Sequence, residues 1–443
     1  MSETLKVGVV SLGCPKNQCD AELMMAKIQK AGFTLVPEAG LADVVVINTC
    51  GFIQSAKEEA IEEIMEAINR KNDGINKKII VTGCLAQRYN EQMDEEFPEI
   101  DAVLGIGRND AIVDTINRVM SGERVIDFGK IETHDMEGDR LTNAAVNYAY
   151  LRIADGCDNC CTYCAIPQIR GRFRSRTIEN IFAEAENLVK SGKSELILVA
   201  QDTTRYGEDI YGKLALPELL EKLCTLPVKW IRLLYCYPER MTEELIETIA
   251  KQDKIVKYID LPLQHCNAEI LRDMNRSGDR ESLTALIKKL REKIPGLTLR
   301  TTFITGFPGE TEAQFTELAE FANDIKFDRL GCFAYSAEDG TPAADFPNQV
   351  DDREKEHRAE IIMEQQEIRV AELCEKSIGK VTEAVVEGYD RLFEMYYGRD
   401  NSYAPEIDGT MYFKSSRKLS LGEFVSVKIT DSLDNNLIGE VIS

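Results

Sequence analysis

The 443-residue chain contains only three histidines and one tryptophan, and it has no long apolar run. The histidines are His134, His265 and His357, too few for a histidine-built metal site, so a bound metal would be held by cysteine. No stretch approaches the roughly 18 apolar residues of a membrane-spanning helix. The amino terminus lacks the basic start, apolar segment and small-residue cleavage site of a secretory signal. We therefore expect a cytoplasmic protein that does not bind a membrane.

The chain also lacks an excess of positive charge. Lys and Arg number 53 against 76 Asp and Glu, so the net charge is −23. Such a charge repels nucleic-acid phosphates unless basic residues are gathered in one place, and it favours a basic partner. Apolar residues make up 44% and charged residues 29%, which is typical of a folded globular protein. The thirteen cysteines cannot all pair, which indicates reduced thiols.

Short β-rich runs alternate with amphipathic helical stretches over the first 120 or so residues. This alternation is typical of βα units, and it predicts an amino-terminal domain with a parallel sheet over residues 1–125. A polar, aperiodic linker is predicted at 126–145. The predicted strands are 5–12, 43–49, 78–82 and 102–107, and the predicted helices are 20–31, 54–70 and 111–120.

A second alternation fills residues 146–375 and predicts a full or partial βα barrel of the TIM type. In such a barrel the chemistry lies at the carboxyl ends of the strands. Its predicted strands are 148–154, 195–200, 230–235, 255–261, 297–305 and 329–335, and its predicted helices include 177–191, 242–251, 279–293 and 310–323. A charged helix at 351–378 leads to a third domain, 376–443, whose short β-rich runs predict a small antiparallel β-barrel.

Four cysteines lie together directly after the first strand of the second region. One interpretation is a three-cysteine site, Cys157-x3-Cys161-x2-Cys164, and the other is two CxxC pairs that include Cys160 and resemble a zinc knuckle. Closing four cysteines within eight residues around one zinc ion is awkward, because structural zinc sites use a longer loop between pairs. Three thiolates can instead hold a [4Fe–4S] cluster and leave one iron open to a chelating substrate. We favour the three-cysteine site, with Cys160 as a bystander.

Three further cysteines each follow a predicted strand of the first region. Cys14, Cys50 and Cys84 stand in small turns that contain glycine. The carboxyl ends of neighbouring parallel strands share one sheet edge, so these thiols are expected to meet and hold a second three-cysteine cluster. Buried cysteines that act as small hydrophobes are the alternative for any one of them. That alternative is our interpretation of the other six, which are Cys19, Cys224, Cys236, Cys266, Cys332 and Cys374.

The cysteine spacing with Tyr163 before the last cysteine resembles the radical S-adenosylmethionine (SAM) enzymes. The resemblance implies that SAM chelates the open iron and is cleaved to a 5′-deoxyadenosyl radical, with the segment near Tyr163 close to the adenine. Gln264 and Gly306, at the ends of two predicted barrel strands, are further candidates for SAM contacts. For residues 306–310 a plain turn and helix start is the alternative.

Two such clusters followed by a β-barrel resemble the methylthiotransferases, and the resemblance covers essentially the whole chain. It implies a methylthiotransferase domain, a radical-SAM core and a TRAM domain. It also implies two [4Fe–4S] clusters, SAM as both methyl donor and radical source, an electron donor of the flavodoxin or ferredoxin type, and a sulfur donor. The supporting segments are 11–17 (SLGCPKN), 46–53 (VINTCGFI), 201–207 (QDTTRYG), 258–265 (YIDLPLQH), 302–310 (TFITGFPGE) and 404–409 (APEIDG).

Within this family, the match is closest to the branch that methylthiolates the β-carbon of an aspartate in ribosomal protein S12 of the small subunit. The alternative branch modifies an adenosine in transfer RNA and usually has Gln-Met-Asn where this chain has Pro15-Lys16-Asn17. Residues 376–443 carry eight Lys and Arg against eleven Asp and Glu, which disfavours an RNA-binding barrel. A zinc-binding, ribosome-associated module without catalysis is the alternative outside the enzyme class.

Four alternating arginines, Arg170, Arg172, Arg174 and Arg176, follow the cysteine loop. They would suit the carboxylate of SAM or of an acidic substrate, since guanidinium groups bind carboxylates through two parallel hydrogen bonds. A solvated strand face is the alternative.

Overall fold

The computed structural model describes residues 4–442, and its first unit is a six-stranded parallel sheet covered by helices. The strands lie in the order β2-β1-β3-β4-β5-β6. The elements are β1 (Lys6–Ser11), α1 (Pro15–Lys30), β2 (Thr34–Val36), β3 (Val44–Thr49), α2 (Gln54–Asn72), β4 (Lys78–Gly83), α3 (Cys84–Arg88), α4 (Asn90–Glu96), β5 (Ala102–Leu104), α5 (Ile112–Met120) and β6 (Val125–Asp127). The predicted parallel α/β unit is confirmed; the short strands β2 and β6 were not predicted.

The central strand β3 shows why this segment forms a buried parallel strand. Every residue of its sequence VVVINT is buried, as expected for a strand covered by helices on both faces. Val45 and Ile47 pack in the core on one face, and Val44 and Val46 pack in the core on the other. Alternate residues of a strand point to opposite faces, so this one run supplies both cores.

The segment predicted as a linker packs between the first two units. Its residue Arg140 is buried and bonds Glu22 of α1 on one side and Glu184 on the other. His134 is also buried, and its Nδ1 lies 3.1 Å from the carbonyl oxygen of Ile106. Arg140 and His134 therefore hold this segment against the neighbouring units. The domain boundaries at 125, 145 and 375 stay a prediction.

The second unit is an open parallel sheet and not a closed barrel. Its six long strands lie in the order β14-β13-β12-β11-β10-β7, and β8 and β9 form a separate antiparallel pair. The elements are β7 (Tyr148–Arg152), β8 (Ala154–Asp155), α6 (Ile166–Arg170), β9 (Arg174–Ser175), α7 (Ile178–Lys190), β10 (Glu195–Val199), α8 (Glu208–Tyr211), α9 (Leu216–Leu223), β11 (Trp230–Leu233), α10 (Glu243–Lys251), β12 (Ile255–Asp260), α11 (Ala268–Asp273), α12 (Arg280–Lys293), β13 (Thr298–Thr305), α13 (Glu312–Ile325) and β14 (Arg329–Ala334). The partial form of the predicted barrel is confirmed.

Helix α14 (Asp352–Glu375) leads from this sheet to a closed five-stranded barrel. The barrel strands are β15 (Val381–Asp390), β16 (Met395–Asp400), β17 (Met411–Lys414), β18 (Phe424–Leu433) and β19 (Asn436–Val441). All neighbouring pairs are antiparallel except β17 and β19. The predicted small barrel is confirmed, with one parallel pair and with β16 as an unpredicted strand.

The barrel packs on the sheet face opposite the helices. Ile197 and Val199 of β10 point to this face and share a core with Val385 and Ala404 of the barrel, whereas Leu196 and Leu198 point to the helices. Glu195 anchors the contact through ion pairs with Arg232 and Arg399. Within residues 4–442, no helix is long and apolar enough to cross a membrane.

Candidate functional site

The carboxyl ends of β1, β3 and β4 lie side by side and present the first three cysteines. In the aligned sheet Asn48 pairs with Ser11 on one side and with Thr82 on the other. Cys14, Cys50 and Cys84 follow these strands and form what we call the N-terminal trio. Cys50 and Cys84 are buried, and Cys14 is partly exposed. The structure therefore brings these three predicted site residues to one edge of the sheet.

Glycines allow the three turns to approach each other. A Cβ added at Gly13 would lie 2.7 Å from the Cβ and 2.9 Å from the Sγ of Cys50. At Gly83 it would lie 2.4 Å from the carbonyl oxygen of Thr49. Gly83 also has φ of +98°, a conformation that favours glycine. Larger residues at these positions would push the cysteine turns apart.

Asn17 connects all three turns, a role that sequence reasoning missed. Its Nδ2 donates to the carbonyl oxygens of Leu12 (3.0 Å) and Thr49 (2.9 Å). Its Oδ1 accepts from Cys84 Sγ at 3.3 Å. The only sequence signal for this residue is its place in the segment SLGCPKN.

The second group, Cys157, Cys161 and Cys164, lies in the loop between β8 and α6, and we call it the loop trio. Cys157 and Cys161 are buried, and Cys164 is partly exposed. Tyr237 Oη lies 3.4 Å from Cys161 Sγ. Asn275 Nδ2 donates to the carbonyl oxygen of Cys160 (3.0 Å) and holds the loop in place.

Cys160 differs from the loop trio in its exposure. It is exposed and has φ of +50°, whereas Cys157 and Cys161 are buried. This exposure supports the three-cysteine interpretation over two CxxC pairs. All thirteen cysteines are free. Of the six expected to be structural, five are buried and Cys224 is partly buried.

The three residues predicted to contact SAM lie in different surroundings. Tyr163 packs beside the buried cluster that contains Met274 and Phe307. Gln264 has φ of +70° and bridges to Phe303 of β13. The N–H of Gly306 is occupied, because it donates to Glu310 Oε2 at 2.7 Å. Contact of these residues with SAM stays a prediction.

Arg170 joins the two trios. Its guanidinium bonds Asn17 Oδ1 (2.5 Å) and Cys84 Sγ (3.6 Å) on the side of the N-terminal trio. On the other side it bonds Asp155 Oδ2 at 3.1 Å, two residues before Cys157. Cys84 also packs against Ala165 and Ile169 of the α6 region. The two trios therefore flank α6 and share one buried network.

The four arginines do not form a single solvated face, so that alternative is wrong. Arg172 is exposed and pairs with Asp158. Arg170 and Arg176 are buried in ion pairs, the latter with Glu137 and Glu184. The guanidinium nitrogens of Arg174 are buried without a hydrogen-bond partner among the described residues.

The electrostatics distinguish the cysteines of the N-terminal trio. Desolvation would raise the pKa of the Cys14 thiol, but the charges of Lys16 and Arg170 oppose it and lower that pKa. Burial raises the pKa of Cys50, and it raises the pKa of Cys84 to about 12. Cys14 is thus the readiest of the three to ionise. In the loop trio, burial raises the pKa of Cys157 to about 12 and raises that of Cys164.

The donor set of both trios fits an iron–sulfur cluster. Each offers three thiols with no disulfide, and cysteine thiolates are the usual ligands of such clusters. The glycine turns of the N-terminal trio let the backbone approach a bulky ligand closely. Within residues 4–442, no three His, Cys, Asp or Glu side chains are arranged to hold one metal ion.

Three family models match successive parts of the chain. The Uncharacterized protein family UPF0004 matches residues 6–105, the Radical SAM superfamily matches 151–322, and the TRAM domain matches 378–442. The radical SAM match implies SAM and a [4Fe–4S] cluster as cofactors.

The fold also matches solved radical SAM structures. The methyltransferase TsrM from Kitasatospora setae, with cobalamin and a [4Fe–4S] cluster bound, superposes with a TM-score of 0.59 at 14% identity, covering 77% of each chain. A second TsrM structure, with tryptophan and a SAM analogue, gives a TM-score of 0.58 at 13% identity, covering 86% of this chain and 78% of the other. At these identities the likeness shows the fold.

Relatives named ribosomal protein uS12 methylthiotransferase RimO match almost the full length. The protein from Desulforamulus reducens is 49% identical over 98% of this chain and 99% of the relative. Those from Clostridium botulinum (strain Loch Maree) and Clostridium tetani are 48% and 46% identical, each over 99% of this chain and 98% of the relative. Because the two cysteine trios lie in the matched regions and identity extends over the whole chain, this protein belongs to the RimO family of radical SAM methylthiotransferases.

Proposed function

We propose that this enzyme adds a methylthio group to the β-carbon of an aspartate in ribosomal protein uS12. The observation that carries the proposal is the pair of cysteine trios on either side of α6, linked through Arg170. Sequence identity of 46–49% to proteins named for this reaction supports the same conclusion. The alternative of a zinc module without catalysis does not agree with membership of an enzyme family.

In this proposal the loop trio holds one [4Fe–4S] cluster and the N-terminal trio holds another. When bound, the cluster of the loop trio would provide the electron for reductive cleavage of SAM, and the cluster of the N-terminal trio would carry the sulfur, received from a separate donor, that a second SAM methylates. The chain itself fixes the geometry. Arg170 and Asn17 hold the two sites in one rigid network, so a substrate carbon placed between them is near both.

The charge of the protein supports a basic protein substrate. A net charge of −23 attracts a cationic ribosomal protein and repels RNA. Residues 376–443 are themselves acidic on balance, which weakens the transfer-RNA alternative. A cytoplasmic location, an electron donor of the flavodoxin or ferredoxin type and a sulfur donor complete the proposal.

Product analysis tests this function. The anaerobically reconstituted enzyme is incubated with SAM, a reductant and either uS12 or transfer RNA, and each product is examined by mass spectrometry. We expect the added mass of a methylthio group on one aspartate of uS12 and none on RNA. Modified RNA with unmodified uS12 would overturn the proposal.

Iron content tests the cluster count independently of product. Reconstituted protein is expected to bind about eight irons, four for each cluster. Cys161→Ser should bind about four, whereas Cys160→Ser, a change at the neighbouring exposed cysteine, should bind about eight. Equal iron loss in both variants would contradict the assignment of the loop trio.

A further inference from the structure

Lys16 is a buried ammonium at the N-terminal trio, and within residues 4–442 it forms no ion pair with a carboxylate. The residue is only 7% exposed, and its Nζ lies 3.7 Å from the centroid of the Tyr235 ring. Among the described residues, its strongest electrostatic neighbours are Tyr235, Cys14 and Arg170, and no carboxylate is among them. Arg170 differs sharply, because it pairs with both Asp20 and Asp155.

This charge is costly for the folded protein. Taking an ammonium out of water is unfavourable unless an anion is paired with it. The cation–π contact with the Tyr235 ring offsets part of this cost. Lys16 also stands in the first turn of α1, where the helix dipole favours negative charge, and no acidic residue is present there. The Cys14 thiolate offsets part of this charge, and an anionic group that binds from outside would stabilise the ammonium further.

Lys16 lies beside the N-terminal trio, on the side of the strand end that also reaches the loop trio. It follows Cys14 by two residues, and its partner Tyr235 precedes by two residues the Tyr237 whose Oη lies 3.4 Å from Cys161 Sγ. An anion bound to Lys16 would therefore be held next to the N-terminal trio.

Tyr235 is held rigidly in an unfavourable backbone conformation. Its φ is +60°, a conformation that is strained for a residue other than glycine. Its N–H donates to Asp260 Oδ2 at 3.0 Å, and its carbonyl oxygen accepts from the N–H of Thr203 at 3.1 Å. Strain of this kind is concentrated at ligand sites. Here it fixes the ring beneath the Lys16 ammonium.

We propose that Lys16 binds the side-chain carboxylate of the target aspartate, an inference that rests on the proposed function. An ammonium–carboxylate pair is a strong charge-assisted interaction that a neutral amide does not match. The β-carbon is one bond from that carboxylate, so the pair holds the reacting carbon next to the N-terminal trio. Lys16 is then the residue that selects aspartate over asparagine. Balancing the thiolate charge of Cys14 alone is the rival role.

A double-mutant cycle in a binding assay separates these roles. Anaerobically reconstituted enzyme, either wild type or Lys16→Met, is titrated with uS12 and with uS12 whose modified aspartate is changed to asparagine. We expect Lys16→Met to weaken binding of uS12 at least tenfold, since hydrogen bonds between charged groups contribute about 1.5–3 kcal/mol. The same Lys16→Met substitution should change the affinity for the asparagine form of uS12 by less than about twofold.

Two further variants control for folding and for charge. Lys30→Met makes the same change at an exposed position on the same helix and should bind both forms as the wild type does. Lys16→Arg keeps the charge and should retain preference for the aspartate form. Iron content and the electron paramagnetic resonance spectrum of Lys16→Met should match those of the wild type.

Additive effects in the cycle would overturn the inference, because Lys16 would then act without contacting the carboxylate. An altered cluster spectrum with unchanged affinity for uS12 would also overturn it, in favour of the charge-balancing role. If the wild type methylthiolates uS12 but shows no coupling, this inference alone is wrong. If the wild type neither binds nor modifies uS12, the proposed function is wrong as well.

Discussion

Arg170 gives the N-terminal trio a fixed positive neighbour. It lies 3.6 Å from Cys84 Sγ and is buried, so it cannot move away into solvent. Two carboxylates, Asp20 at 2.9 Å and Asp155 at 3.1 Å, form ion pairs with it. Burial opposes ionisation of Asp155, but Arg170 and Arg152 hold the pKa of its carboxyl at about 2. The network is therefore fully charged at neutral pH, and it orients the cysteine turns as well as attracting thiolate.

Removing one cysteine of the N-terminal trio tests the division of roles between the trios. Cys84→Ala should still cleave SAM under reduction, because the loop trio is intact, but it should form no methylthiolated uS12. Iron is expected to fall from about eight to about four per chain. The measurements are 5′-deoxyadenosine and product by mass spectrometry. Cys374→Ala, at a buried cysteine in α14, is the control, and product from Cys84→Ala would contradict the sulfur-carrying role.

His265 makes stability depend on pH. Its side chain is fully buried, its Nδ1 accepts from the N–H of Asn267 at 2.9 Å, and its Nε2 has no hydrogen-bond partner among the described residues. Burial lowers the pKa of this imidazole to about 3 from its usual 6.5. The folded state therefore keeps His265 neutral over a pH range in which the unfolded chain binds a proton.

The free energy of unfolding should consequently fall as the pH drops from 6.5 towards 3. The contribution of His265 to this slope is at most about 1.4 kcal/mol per pH unit. His265→Gln should flatten the slope, whereas His357→Gln, at an exposed histidine, should leave it unchanged. Urea unfolding at pH 7, 6 and 5 measures the slopes. Parallel slopes for His265→Gln and wild type would show that the neutral imidazole does not contribute.

At the scale of elements, the strand-to-helix turns decide whether the three cysteines can meet. β4 ends at Gly83 and α3 begins at Cys84, so the chain reverses direction within one residue. Gly83 makes this possible through its positive φ and through its contact with β3, where Thr49 approaches within van der Waals distance. Two of the three nearest atoms belong to the backbone of Thr49 in the buried strand β3 and cannot move aside, and the third is Oδ1 of the buried Asn48.

Gly83→Ala should therefore displace the turns of the N-terminal trio, in addition to the backbone strain that alanine has at a positive φ. Gly74→Ala is the matched control, because Gly74 also has positive φ but faces open space. We expect Gly83→Ala to be about 1–3 kcal/mol less stable than the control in urea unfolding, from overpacking. It should also bind about four irons, not eight. Equal stability and full iron in both variants would contradict this role of the turn.

At the scale of the whole molecule, a buried ion-pair clamp fastens the first unit to the second. Glu338, in the loop after β14, accepts from Arg88 of α3 (2.7 Å) and from Lys57 of α2 (3.0 Å). The Arg88 and Glu338 side chains are only 3% and 4% exposed. Arg88 lies in the helix that begins at Cys84, so the clamp acts directly on the element that carries the N-terminal trio.

Glu338→Gln leaves two cations without their anion. Breaking a buried pair in this way costs about 3–5 kcal/mol, and urea unfolding should show a loss of that order. Because the two trios then lose their fixed spacing, the yield of methylthiolated uS12 per 5′-deoxyadenosine should fall. Glu383→Gln breaks an exposed pair with Lys229 and should change stability by less than about 1 kcal/mol. An unchanged yield in Glu338→Gln would show that the clamp serves stability alone.

Local pattern was sufficient for the elements and for the positions of both trios. Alternating β-rich and amphipathic runs predict the sheets, and cysteines at consecutive strand ends predict a shared edge because parallel strands align there. The short strands β2 and β6 were missed. The segment after β6 has no periodicity, yet it packs tightly through Arg140.

The sequence by itself thus determined the fold class, the three units and the six candidate cluster ligands, because spacing along a strand or a loop carries this information. Only the tertiary structure decided which charged groups surround the trios. Arg170 meets Asp20 across 150 positions, and Lys57 meets Glu338 across 281. No local pattern encodes such pairs, since they form only when separate units pack together. The same packing decides that the buried charge of Lys16 has no carboxylate partner in the part of the chain that the structure describes.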